Sequence, residues 1–262
     1  MGLKRKLATS VMSASLGLSL VGGGTWAAFN DVENIENTFA AGTLDLAVIT
    51  KDKSNSVFKL LNMKPGDSKT AEFELKNDGS LAIKEVLLDI TVPEDGFKNG
   101  ENEYVNEHGG EENEAIDFLE QFQVEILRID EETGYDFTLI EEKDGVTLAD
   151  FAKKDLPAEI ETVDGAINLA PIHTERPEYT GLPVNPLDDE VVKIKIVFVE
   201  DDTIDDSVPG EYLQNRYQGD EIELNFGLEA TQWGGLDIQD GDVAENGTIE
   251  RNKNANSETP KE

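Results

Sequence analysis

The sequence predicts an all-β fold: an antiparallel β-sandwich, a class that includes the jelly roll, with short helical insertions and long acidic loops. Two observations predict it. Several segments alternate strictly between apolar and polar residues, the period expected of strands with one buried face. They are separated by acidic stretches containing Gly and Pro rather than by the regularly alternating helices that a parallel sheet requires.

Residues 1–27 precede this domain and have the layout of an export signal. Lys4, Arg5 and Lys6 form a compact positive cluster ahead of a mostly apolar run, 7–21. Thr9, Ser10, Ser13, Ser15 and Ser19 interrupt that run, which is shorter than the roughly 18 apolar residues of a membrane span. An uncleaved anchor is the less favoured alternative. In "LVGGGTWAAFND" the glycines end the hydrophobic segment, and Thr25 and Ala27 place small residues at the third and first positions before a cut. Cleavage is expected after Ala27, leaving Ala28 as the new amino terminus and limiting membrane contact to the uncleaved form.

Strands are expected at 43–49 and 57–61, then in "TAEFELKN", where Ala71, Phe73 and Leu75 share one face. Asp78-Gly79 suits a tight hairpin turn. Beyond it, Leu81 and Ile83 lie on one parity while Val86, Leu88, Ile90 and Val92 lie on the other, so a bulge is expected at Lys84-Glu85. A helix in "NEAIDFLEQF" would be capped by Asn113, and one in "TLADFAKK" by Thr147 with Asp150 completing a capping box. Further strands are expected at 122–129, 135–140 and 166–169. Val192, Ile194, Ile196 and Phe198 define another, and Ile222, Leu224, Phe226 and Leu228 the last. The acidic segments 93–114, 176–190 and 200–211 are expected to be solvent-exposed loops. From residue 236 apolar periodicity is lost, so the sandwich domain is assigned to 42–235 and the remainder to a mobile acidic tail.

The chain has 22 basic and 56 acidic residues and a net charge of −34; removing Lys4, Arg5 and Lys6 takes it to −37. Nucleic acid and anionic membrane surfaces are therefore excluded as partners by repulsion. Cysteine is absent, so an exported domain must be stabilised without disulfides.

The signals for chemistry are sparse. His108 and His173 are the two histidines, and no pair of histidines one helical turn apart with a glutamate between them occurs. Zinc held by these two with loop carboxylates is one arrangement; solvated loop histidines are the other. No nucleophile elbow is present. Calcium is the more reasonable ion, through the oxygen-rich stretches 200–206 and 237–242, although neither keeps the helix-loop-helix spacing. Asn246-Gly247-Thr248 matches a glycosylation triplet.

The leader, "GTLDL", "LNMKPGDS", "NDGSLAIKEVLLDI" and "YQGDEIELNFGLEATQW" together resemble the TasA/camelysin family, over blocks spread from residue 1 to about 233. That resemblance implies a jelly-roll subunit of extracellular biofilm matrix fibres, cut by a signal peptidase and polymerising with itself, with an accessory anchoring protein as a further partner. It also implies that the freed segment 28–41 completes the sheet of a neighbouring subunit. Ala28, Phe29, Val32, Ile35 and Phe39 would then carry assembly; Phe29, Ile35 and Phe39 share one strand parity, and Val32 does not. The expected function is structural, with no catalytic or cofactor residue. A camelysin-like metallopeptidase and a monomeric cation-binding surface protein are the alternatives.

Overall fold

Where these alternating segments pair was determined in a computed structural model, which describes residues 42–50, 57–108, 112–130, 134–235, 244 and 249–254. The expected cut at Ala27, the segment 28–41 and the stretch 237–242 lie outside the described residues.

Among the described residues, ten strands form two antiparallel sheets: β1 (Leu46–Thr50), β2 (Val57–Leu60), β3 (Ser68–Asn77), β4 (Ile83–Thr91), β5 (Phe97–Lys98), β6 (Phe122–Asp130), β7 (Asp136–Ile140), β8 (Ile167–Asn168), β9 (Asp189–Phe198) and β10 (Glu221–Gln232). One sheet runs β1-β3-β9-β6-β7 and the other β2-β10-β4-β8, with β5 extending the β4 flank of β10. The pairings nest: β6 with β7, β4 with β8, β3 with β9 and β2 with β10. That is the plan of a jelly roll, one long hairpin folded over into two sheets, with β1 added at an edge.

The period-two pattern explains the core. Phe73 and Leu75 on β3, the even-numbered residues 192–198 of β9 and 222–228 of β10 are all buried. Phe122 packs against Phe118 and Phe198, with ring centroids 4.9 and 4.7 Å away, closing one end of the sandwich. On the outer face of the first sheet, cross-strand charges pair: Lys195 with Glu125 at 2.7 Å and Lys193 with Glu72 at 3.7 Å.

The expected phase change in β4 is present. Thr231 opposes Glu85 and Gln232 opposes Ile83, so Lys84 is the extra residue of a bulge, and both Ile83 and Val86 point inward. The hairpin at Asp78-Gly79 is not. β3 and β4 belong to different sheets, so this turn is a crossover between sheets. Buried Asn77 organises it: its Nδ2 donates to the carbonyls of Leu81 and Leu182, at 2.8 and 2.7 Å, while its Oδ1 accepts from Gly79 N. A Cβ on Gly79 would overlap the carbonyl oxygen of Thr43 and lie 2.8 Å from Asp45 N, so the approach of the β1 lead-in requires glycine.

Among the described residues, three short α-helices interrupt the strands: α1 (Glu103–His108), α2 (Ala115–Leu119) and α3 (Leu148–Lys153). α3 has the expected capping box, Asp150 N donating to Thr147 Oγ1 and Thr147 N to Asp150 Oδ2. α2 departs from expectation. Its N-cap is Glu114, and Asn113 instead donates to Arg216 O and Asp220 Oδ2 at 2.8 and 2.7 Å. The segment 93–114 is correspondingly more than a solvated loop, containing β5 and α1. Buried Asn102 ties it to the carbonyls of Asn215 and Arg216. The segment 176–190 also differs from the exposed loop expected, since Leu182, Asp188 and Glu190 are fully buried. Beyond β10, residues 249–254 are docked: Asn252 O accepts from Ala82 N, and Lys253 O from Val184 N and Asn185 N.

Candidate functional site

The inward face of β6 is apolar at Phe122, Val124 and Ile126, then continues in the same parity to Arg128 and Asp130. On the neighbouring strand the inward row of β9 ends at Glu190, the register partner of Asp130. Strand periodicity thus forces three charged side chains into one end of the sandwich. Asp188, in the approach to β9, is buried beside them. Asp130, Asp188 and Glu190 are 0 % exposed and Arg128 4 %.

The loop after β8 covers the cluster. His173 Nε2 lies 3.1 Å from Asp130 Oδ2, and the imidazole is 9 % exposed. The loop backbone is fixed by Thr180 Oγ1, which accepts from His173 N and donates to His173 O. The ring packs edge-on against Phe137 and Tyr179, with centroids 5.6 and 6.4 Å away. Arg128 Nη1 donates to Ala170 O at 3.0 Å, its Nε lies 3.5 Å from Glu190 Oε2, and its guanidinium sits 4.7 Å from the Phe137 ring centroid.

The electrostatics follow from burial. Desolvation pulls the Arg128 guanidinium below its ordinary value, opposed by Glu190, Asp130 and Asp188. Desolvation also lowers the His173 imidazole; Asp130 opposes this, and Arg128 and Arg176 add to it. Burial and the neighbouring guanidiniums thus disfavour the charged imidazole.

Asp130, His173 and Glu190 each present a ligand atom within 4.8 Å of the other two. A first-row cation about 2.1 Å from each ligand holds them roughly 3–4 Å apart, so these three fit one with a small inward movement. Catalytic zinc would additionally need a coordination position open to water and substrate. The depth of these side chains does not provide one. A groove of about 380 Å³ lies elsewhere, against the second sheet, lined by Leu87, Asp89, Phe151, Lys154, Val163 and Glu229, and includes none of the cluster.

The two histidines do not form one ligand set among the described residues. His108 is on α1, its ring against Tyr104, and belongs to no group of three ligand atoms. Nor do the carboxylates of 200–206 converge. Asp201 Oδ1 accepts from Thr203 N and Oγ1, and Asp205 Oδ1 from Ser207 N and Oγ, so each closes its own turn. The signal that marks the actual cluster is Arg128 and Asp130 standing on the buried parity of an otherwise apolar strand.

The model of a family described as camelysin metallo-endopeptidase matches residues 2–237 of the chain. A protein of Bacillus subtilis (strain 168) described as a major biofilm matrix component is 41% identical over 273 residues, covering 98% of this chain and 99% of that relative.

Proposed function

The chain belongs to the camelysin family, and on that premise we propose that it is a secreted structural subunit of an extracellular biofilm matrix. The observation that carries this reading is the similarity to a matrix component over 98% of this chain and 99% of that relative. The family description names a metallo-endopeptidase, so proteolysis is the competing reading. Against it stand the absence of the two-histidine helical motif from the sequence and the enclosure of Asp130, His173 and Glu190.

In this reading export ends with cleavage after Ala27, and the freed segment 28–41 adds as a strand to a neighbouring subunit, with Phe29, Ile35 and Phe39 anchoring it. Two long strands offer a template. β1 covers only residues 73–77 of β3, and β2 only residues 222–225 of β10. On the flank of β10 that faces β2, residues 226–232 pair with no other described strand. A row of backbone donors and acceptors there suits an incoming strand. Because the donor and acceptor surfaces differ, the contact is head-to-tail and builds open filaments. Before cleavage the donor is tethered to the signal, which times polymerisation to processing.

Electron microscopy of protein beginning at Ala28 beside protein beginning at Gly42 tests this reading. Fibres are expected from the first alone. Fibres from both, or from neither across a range of salt and pH, would refute donor-strand assembly. Casein incubated with the Ala28 form is expected to stay intact; chelator-sensitive cleavage would favour the peptidase reading.

A further inference from the structure

We propose that Asp130, His173 and Glu190 form a structural binding site for a divalent first-row transition-metal cation, which pins the loop after β8 to the ends of β6 and β9. The three ligands come from three separate parts of the chain and meet because of the nested topology. A cation bound there would cross-link them as a disulfide does in other exported domains, in a chain without cysteine.

Three observations carry the assignment. The ligand atoms converge within 4.8 Å, whereas the acidic loop 200–206 assembles no such group. His173 Nε2, on a side chain nine-tenths buried, points into the cluster, 3.1 Å from Asp130 Oδ2. Finally, Arg128 is placed as an outer partner, contacting Glu190 and Ala170 O, where it orients a ligand.

The donor set narrows the ion. One imidazole nitrogen with carboxylate oxygens suits zinc or manganese, whereas calcium and magnesium take oxygen alone. The site is independent of the assembly proposed above and of any peptidase chemistry.

The test uses the Ala28 protein, stripped with chelator and dialysed. Bound metal is measured by mass spectrometry after equilibration with zinc, manganese, magnesium or calcium, and thermal unfolding is recorded for each. About one zinc or manganese ion per chain and a raised Tm are expected. His173→Gln and Glu190→Gln are each expected to weaken binding at least about 10-fold, with His108→Gln unchanged. Melting curves in chelator are recorded first, and a variant that does not fold is replaced by Asp130→Asn. Absence of a zinc- or manganese-specific rise in Tm would overturn the proposal. So would a calcium response of equal size, or stoichiometric binding that survives loss of His173.

Discussion

Arg128→Met is the perturbation that best separates this buried cluster from an ordinary core. Methionine keeps most of the aliphatic length, so the packing volume changes little. The substitution removes the hydrogen bond to Ala170 O, the 3.5 Å contact with Glu190 and the stacking on Phe137. It leaves Asp130, Asp188 and Glu190 in a site where each is 0 % exposed. Removing one partner of a buried ion pair costs about 3–5 kcal/mol. For a domain of this size each kcal/mol shifts Tm by about 2–4 °C, so the expected drop is about 6–20 °C. The assay is thermal and urea unfolding by circular dichroism in the presence of chelator, at low protein concentration so that assembly does not contribute. A loss below about 1 kcal/mol, or a gain, would refute the reasoning that the guanidinium neutralises the buried carboxylates.

Gly79→Ala should push away the β1 lead-in, whose Thr43 O and Asp45 N lie against residue 79, costing about 1–3 kcal/mol; faster hydrogen exchange at Leu46–Thr50 is the readout, and wild-type rates there would contradict the contact. The Asp205 carboxyl is held down to about 2 by the Ser207 and Tyr104 hydroxyls. Its contribution to stability is thus present above its unfolded value near 3.8 and lost as pH falls toward about 2. A carboxyl titration by NMR should give that low midpoint, and an unshifted one would remove the Tyr104 tether between α1 and its loop. Assembly of subunits carrying −37 should accelerate with added salt, because screening shortens repulsion to about 8 Å at physiological ionic strength; light scattering showing equal rates at low and high salt would count against this.

The sandwich was legible where side-chain parity decides burial. The inward rows of β3, β9 and β10 follow directly from alternation, and the change of parity between Ile83 and Val86 located the bulge at Lys84. Turn chemistry was less informative. Asp78-Gly79 is compatible with a hairpin, but Asn77 is bonded to Leu182, 105 residues away, and that partner makes the turn a crossover. Asn113 looked like a helix cap for the same local reason, yet its side chain serves Arg216 and Asp220. The buried cluster was hidden in a different way. Arg128 and Asp130 stand on the correct parity to be seen, but Glu190 lies in a Pro-containing acidic stretch that composition alone assigns to solvent. Only the pairing of Asp130 with Glu190 brings the charges together.

The nested pairing has a kinetic consequence. Its innermost hairpin, β6 with β7, joins neighbours in sequence, whereas β2 must wait for β10, whose partner residues begin 162 positions later, Leu60 against Ile222. Contacts between distant residues close late, after the cost of closing the intervening loop has been met. A chain emerging amino terminus first can therefore zip from the middle outward but cannot close until β10 has left the translocation channel. The last pair to form lies beside the β10 flank proposed to receive a neighbour's strand, so in that proposal the acceptor is complete only when the whole domain is outside the cell.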